Sequence, residues 1–144
     1  MKRTDFRHVV PLTVHWGDMD SLGHVNNAIY FRYVETGRID YFDELVEHDP
    51  TIWGGVGPIL ADIQCTFLDQ LRYPADIEVA TRTTRLGEKS MAVSAAVFVK
   101  GSETVAATSS AVVVWFDYEK QATVQIPDRI RERIRDFEVL QPRE

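Results

Sequence analysis

Apolar and polar residues alternate from the start of the chain. Phe6, Val10, Leu12, Val14 and Trp16 are set against Arg7, Thr13 and His15, a period of two that predicts a strand with one buried face. Gly17 through Gly23 breaks this pattern with Gly, Asp and Ser, as a loop does. From about Asn26 to Val46 the period changes. Tyr30, Val34, Gly37, Tyr41 and Leu45 recur at three- and four-residue steps and predict a helix with one apolar face. Glycine inside a helix costs ~1 kcal/mol relative to alanine, so Gly37 on that face predicts close backbone contact, with the helix pressed against a curved sheet.

Gly54, Gly55, Gly57 and Pro58 make the next break, and four strands follow. Ile59, Ala61, Ile63, Cys65 and Phe67 alternate. A second strand covers about Asp76–Arg85, after the Tyr73-Pro74-Ala75 turn. Leu86-Gly87-Glu88-Lys89 turns into Met91, Val93, Ala95, Val97 and Val99, and Lys100-Gly101-Ser102 turns into about Thr104–Asp117. Pro127 suits the first turn of a short helix with Ile130, Ile134 and Phe137 on one side. One strand, one long helix and four strands in succession form an α+β layout, best satisfied by an antiparallel sheet wrapped round one buried helix. No repeat or linker divides the sequence, so residues 1–144 are expected to form a single domain, as domains of ~100–150 residues do.

Charge narrows the function. Lys and Arg total 16 against 22 Asp and Glu, a net charge of −6, which argues against the broad basic surface of a nucleic-acid binder but not against a local basic patch. The longest apolar run, Ala111 to Phe116, has six residues; a spanning helix needs ~20, so no membrane span is expected. The charged start, Met1 to His8, lacks the apolar stretch of a secretory signal. The single cysteine, Cys65, cannot form an internal disulfide. The expected location is the cytoplasm.

Candidate chemistry concentrates between Trp16 and Tyr30, where a strand passes through a loop to a helix start. Such a start exposes unpaired N–H groups and the positive end of the helix dipole. A carbonyl oxygen could rest there while Asp20 or His24 faces its carbon, an oxyanion-hole arrangement. Asp18 and Asp20 could equally satisfy loop amides, and Asn26 or Asn27 could cap the helix. An EF-hand loop also begins Asp-x-Asp, but its fifth position would be Leu22, which offers no ligand. His8, His15, His24 and His48 have no metal-type spacing, so no metal is expected. Alternation places Cys65 on the inward side, a core position and not a nucleophile.

The run Gly17-Asp18-Met19-Asp20, Gly23-His24-Val25-Asn26-Asn27 and Tyr30, continued by Glu35 and Arg38, Gly57-Pro58-Ile59, Phe67-Leu68 before Tyr73-Pro74, and the Gly87–Ser90 hairpin, resembles hotdog-fold acyl-CoA thioesterases of the 4-hydroxybenzoyl-CoA thioesterase type. The resemblance spans about residues 8–117. It implies a hotdog fold, an antiparallel sheet of about five strands around one long helix, and thioester hydrolysis without a dissociable cofactor. By the same resemblance, Asp20 is the essential carboxylate, acting as nucleophile or as base for water. The Asn27 amide polarises the thioester carbonyl, and Tyr30 packs the helix start beside the substrate. His24 and Asn26 are similar to a branch that includes plant acyl-carrier-protein thioesterases. That branch has an Asn where Leu22 stands here and a carboxylate near Gln64, so His24 ranks second to Asp20.

Trp16, Trp53 and Phe31 are candidate acyl-pocket residues. Arg82, Arg85, Lys89 and Ser90 could meet coenzyme A phosphates or simply form a solvated edge. A thiolate leaving group, with a conjugate acid of pKa ~8.5, departs without a strong general acid, so no Ser–His–Asp triad is required. The resemblance also implies a homodimer or homotetramer with sites between subunits. Two other activities fit the same sequence: a non-catalytic acyl-CoA-binding hotdog protein, and a hotdog hydratase or dehydratase that leaves the thioester intact.

Overall fold

A computed structural model describes residues 1–144. Its elements are β1 (His8–Val14), α1 (Asn27–Leu45), β2 (Val56–Phe67), β3 (Ala75–Leu86), β4 (Ser90–Val99), β5 (Val105–Asp117), β6 (Ala122–Thr123) and α2 (Asp128–Phe137). The strands form one antiparallel sheet in the order β1-β3-β4-β5-β2, with the short β6 added beside β5. Helix α1 lies across β1, β3 and β4. None of the helices is long and apolar enough to cross a membrane.

The apolar face read from the periodicity is the buried one: Tyr30, Val34, Gly37, Tyr41 and Leu45 are all covered. Two core clusters sit under the two halves of α1. Tyr30, Tyr33 and Val34 pack on Val14, Ile77, Val79 and Val97, while Tyr41, Phe42 and Leu45 pack on Met91, Val113, Trp115 and Ile130. Gly37 lies between them, where a Cβ would stand 2.5 Å from Val79 Cγ1. Here the missing side chain sets how closely helix and sheet approach.

Two expectations change, and one pairing is new. β1 ends at Val14 and not at Trp16, because the Asp18 carboxylate accepts the His15 N–H at 2.9 Å and closes a single 3-10 turn over Trp16–Asp18. The alternation of β2 is interrupted between Leu60 and Asp62, where its register against β5 shifts. Ile59, before the shift, is exposed, while Ile63 and Cys65 beyond it pack on the core; Phe67, at the end of the strand, is exposed apart from its contact with the Tyr30 ring. At the end of the chain, Arg143 pairs beside Arg85, its N–H donating to the Thr84 carbonyl and its own carbonyl accepting from the Leu86 N–H. The tail thus continues the edge of β3 that β1 covers further along.

Candidate active site

The loop between β1 and α1 is ordered by its own backbone. The Asp20 N–H donates to the His24 carbonyl at 3.0 Å, and the Gly23 N–H donates to the Asp20 carbonyl at 3.2 Å. This tight turn needs a positive φ at Gly23 (85°), which a residue with a Cβ adopts only with strain. The Asp20 Oδ1 atom accepts the Leu22 N–H at 2.9 Å, so no hydrogen bond in the chain engages its Oδ2. The two aspartates of the loop therefore divide. Asp18 is committed to structure: besides His15 it accepts the Tyr33 hydroxyl at 2.7 Å, and its carbonyl accepts the Asn26 N–H. Burial, followed by this carboxylate partner, holds the Tyr33 phenol well above its ordinary range.

Asn26 is the N-cap of α1, its side chain accepting the Ala28 N–H at 2.9 Å, as capping asparagines do. The Asn27 N–H finds no acceptor in the chain and stands exposed in the first turn, at the positive end of the helix dipole. Asn27 and Asp20 both line one cleft of about 390 Å³, together with His24, Val25, Tyr30, Phe67, Leu68, Asp69 and Gln70.

Tyr30 is buried, 3% exposed. Its ring packs edge-on against Tyr33 and Phe67. Its hydroxyl donates to the Asp69 carbonyl at 3.4 Å and accepts the Leu71 N–H at 3.2 Å, while the Val25 N–H donates to the Leu71 carbonyl. The helix start is thus stitched to the segment after β2, which forms the opposite wall of the cleft. Burial raises the Tyr30 phenol above its ordinary value and keeps it a neutral donor.

Asp20, His24, Asn27 and Tyr30 therefore come together. The other candidates do not join them. Trp16 is 73% exposed, in the 3-10 turn that follows β1 and outside the cleft lining. Trp53 packs edge-on against Phe42 and at a tilt against Trp115, lining a separate groove of about 630 Å³ that includes Ile39, Val56 and Tyr118. Arg85, Lys89 and Ser90 lie at the far end of β3 and β4, since the cleft loop leaves β1 opposite Ala75. The intervening length of β3 is roughly 36 Å of extended chain. Gln64 is exposed on β2 and outside the lining. Cys65 is half-buried, and burial pushes its thiol up, away from the thiolate. Asp69 and Gln70 line the cleft without having been singled out. Their signal was faint: the end of alternation after Phe67.

Residues 14–134 match the family model of the thioesterase-like superfamily. The fold superposes with a TM-score of 0.84 on the PA5185 protein of Pseudomonas aeruginosa, which is 26% identical, covering 99% of this chain and 98% of that one. A thioesterase from Thermus thermophilus, solved in complex with coenzyme A and Zn, is 30% identical with a TM-score of 0.79 over 92% of this chain and 95% of its own. The chloroplastic acyl-acyl carrier protein thioesterase ATL3 of Arabidopsis thaliana is 25% identical over 131 residues, 90% of this chain and 68% of that protein. The sheet curled round α1 is the hotdog architecture of these neighbours.

Proposed function

The chain belongs to the thioesterase-like superfamily and is a thioester hydrolase; from this premise we propose that it cleaves acyl-CoA, with the Asp20 carboxylate and the Asn27 amide doing the chemistry. The observation that carries this reading is the pairing, in one cleft, of an uncommitted Asp20 Oδ2 with an unpaired helix-start N–H. The thioester oxygen accepts from the Asn27 N–H. Asp20 then either attacks the carbonyl carbon or takes a proton from an attacking water. The carbonyl π electrons move to oxygen, where the amide and the helix dipole hold the charge. On collapse the C–S bond breaks, and the thiolate leaves and takes up a proton from water. Water supplies the second oxygen of the product acid, hydrolysing an acyl-aspartate anhydride if Asp20 was the nucleophile. His24, half-buried at the cleft rim, acts second to Asp20. Tyr30 fixes the cleft walls through Asp69 and Leu71 rather than reading the acyl group.

The coenzyme A bound to the Thermus thermophilus relative supports coenzyme A as the carrier. The assembly we infer is a homodimer through β2. That edge is unpaired by any strand of the chain and carries Ile59 and Leu60, 36% and 41% exposed. Unprotected apolar edges of this kind pair with another strand.

Thiol release from a panel of acyl-CoAs and acyl carrier proteins tests the function. Asp20→Asn keeps the acceptor for the Leu22 N–H, so it should fold like the wild type while kcat falls ~10²–10⁴-fold, the range for loss of a positioned base. An Asp20→Asn variant with wild-type turnover would move the chemistry to another residue. A product that retains its thioester would indicate hydration or dehydration instead.

A further inference from the structure

Away from the cleft, β1 and α1 are joined by a group that the mechanism does not use. His8 on β1 has a fully buried side chain. Its Nε2 lies 2.8 Å from Asp40 Oδ2 and 3.9 Å from Glu44 Oε2, carboxylates one turn apart on α1. The three ligand atoms all lie within 4.8 Å of one another. We propose that His8, Asp40 and Glu44 form a binding site for a divalent transition metal of the zinc type, which clasps the edge strand β1 to the central helix.

Geometry supports the assignment. A tetrahedral zinc ion with bonds of ~2.0–2.2 Å holds its ligands ~3.4 Å apart. The distances of 2.8 and 3.9 Å bracket that value. Both carboxylates are about half exposed, at 47% and 46%, so they are free to adjust by the half ångström required. The imidazole is not. Tyr41 packs edge-on against its ring, with centroids 5.6 Å apart, and Thr81 is its direct partner across the β1–β3 ladder.

Charge points the same way. No lysine or arginine lies within 4.0 Å of Asp40 or Glu44. Like charges four residues apart on a helix repel, and here a divalent ion would neutralise both. A nitrogen ligand favours zinc over magnesium or calcium, which prefer all-oxygen shells. The buried atoms behind the imidazole complete the picture. His8 Nδ1 and Thr81 Oγ1 are both buried without a hydrogen-bond partner, and cross-strand partners project to the same face of the sheet. A neutral imidazole that coordinates through Nε2 carries its proton on Nδ1, and such ligands usually donate that proton to a neighbour. No hydrogen bond joins the two in this structure; the Thr81 hydroxyl, unpartnered on the same face of the sheet, is the candidate acceptor.

The site is not catalytic. Asp40 is thirteen residues beyond Asn27 on α1, ~20 Å along the helix. It is invisible to linear spacing, because its histidine and its two carboxylates come from different elements.

The test is titration of EDTA-treated protein with Zn²⁺, followed by calorimetry and thermal unfolding. The expected result is one equivalent bound and a rise in Tm of roughly 5–10 °C at free Zn²⁺ near 100 times Kd, with no such effect from Mg²⁺ or Ca²⁺. Asp40→Asn and Glu44→Gln change half-exposed groups and leave the fold intact. Each should weaken binding at least ~10-fold, and Thr81→Val ~10-fold, as for loss of a partner to a metal-bound histidine. Asp43→Asn/His48→Gln, which removes the nearby surface pair, should bind as the wild type does. Absence of stoichiometric binding, wild-type affinity in Asp40→Asn and Glu44→Gln, or loss of binding with the surface pair would each overturn the site.

Discussion

Gly37→Ala should destabilise the protein, although alanine is the better helix former. In a solvated helix the change would gain ~1 kcal/mol. Here the new methyl would lie 2.5 Å from Val79 Cγ1 and 3.0 Å from Thr81 Oγ1. Carbon atoms pack at ~3.5–4.0 Å, so helix and strand must separate by about 1 Å. Both sides resist, because α1 is anchored in a buried cluster on each side of Gly37. Overpacking of this kind costs ~1–3 kcal/mol. With the upper half of that range and the propensity gain subtracted, the net loss is about 1–2 kcal/mol, or a drop in Tm of roughly 3–8 °C. Urea unfolding of Gly37→Ala, Val79→Ala and the double variant measures it. In the double variant the clash partner is gone, so the two effects should fall short of additivity by about 1 kcal/mol or more. A Gly37→Ala protein as stable as the wild type, or strict additivity in the cycle, would refute the close approach of helix and sheet at this point.

Two further predictions concern stability and assembly. Glu138 is buried beside β3, where its Oε1 accepts the Tyr41 hydroxyl and the Thr83 N–H while Oε2 has no partner. Desolvation outweighs those bonds and raises its carboxyl above the usual glutamate value. The folded state therefore holds the proton more tightly, and this stabilisation is present below the ordinary glutamate range and lost as pH rises through the raised value. Glu138→Gln keeps the acceptor and removes the titration, so urea midpoints measured from pH 4 to 7 should lose that decline; an unchanged slope would place it elsewhere. At the other edge of the sheet, Ile59→Lys with Leu60→Glu should give a monomer by sedimentation velocity and lower kcat/KM at least ~10-fold. A fully active dimer would mean that β2 is not the interface.

Local patterns carried the fold well because each element has its own periodicity. The face of α1 was readable from Tyr30 to Leu45, and the hairpins from Leu86–Lys89 and Lys100–Ser102. Side-chain hydrogen bonds and edges were less legible. Asp18 ends β1 early by accepting the His15 N–H, a choice that alternation cannot express. β2 alternates in sequence, yet its register shift leaves Ile59 uncovered, and its place at the edge of the sheet leaves Phe67 exposed at the end of the strand. Of the residues lining the candidate cleft, Asp20, His24, Asn27 and Tyr30 are legible together because they fall within one loop and helix start. Asp69 and Gln70 are not, since they reach the cleft only through the tie from Tyr30 to the Asp69 carbonyl and the Leu71 N–H. His8, Asp40 and Glu44 escaped for the same reason: their proximity is created by β1 lying along α1.

Placement of the basic residues bears on the proposed dimer and on what it would add to the cleft of one chain. A net charge of −6 is unfavourable for an anionic nucleotide unless cations are concentrated where it docks. Arg85 and Lys89 are the candidates, yet they sit at the Leu86 end of the sheet while the cleft sits at the Phe67 end of β2. Antiparallel pairing of two β2 edges, as in the proposed dimer, reverses the partner. The Val56 end of its β2 then adjoins the cleft. Because Val56 pairs with Asp117 and Ser90 with Val114, the partner's 86–90 hairpin lies at that same end. It would be three to four strands away, roughly 14–19 Å at the usual strand spacing. A thioester carbonyl at Asn27 and a phosphate at that hairpin can then be bridged by one extended ligand. The same reversal would cover the apolar β2 edge, so a single contact would both protect the sheet and complete the binding groove.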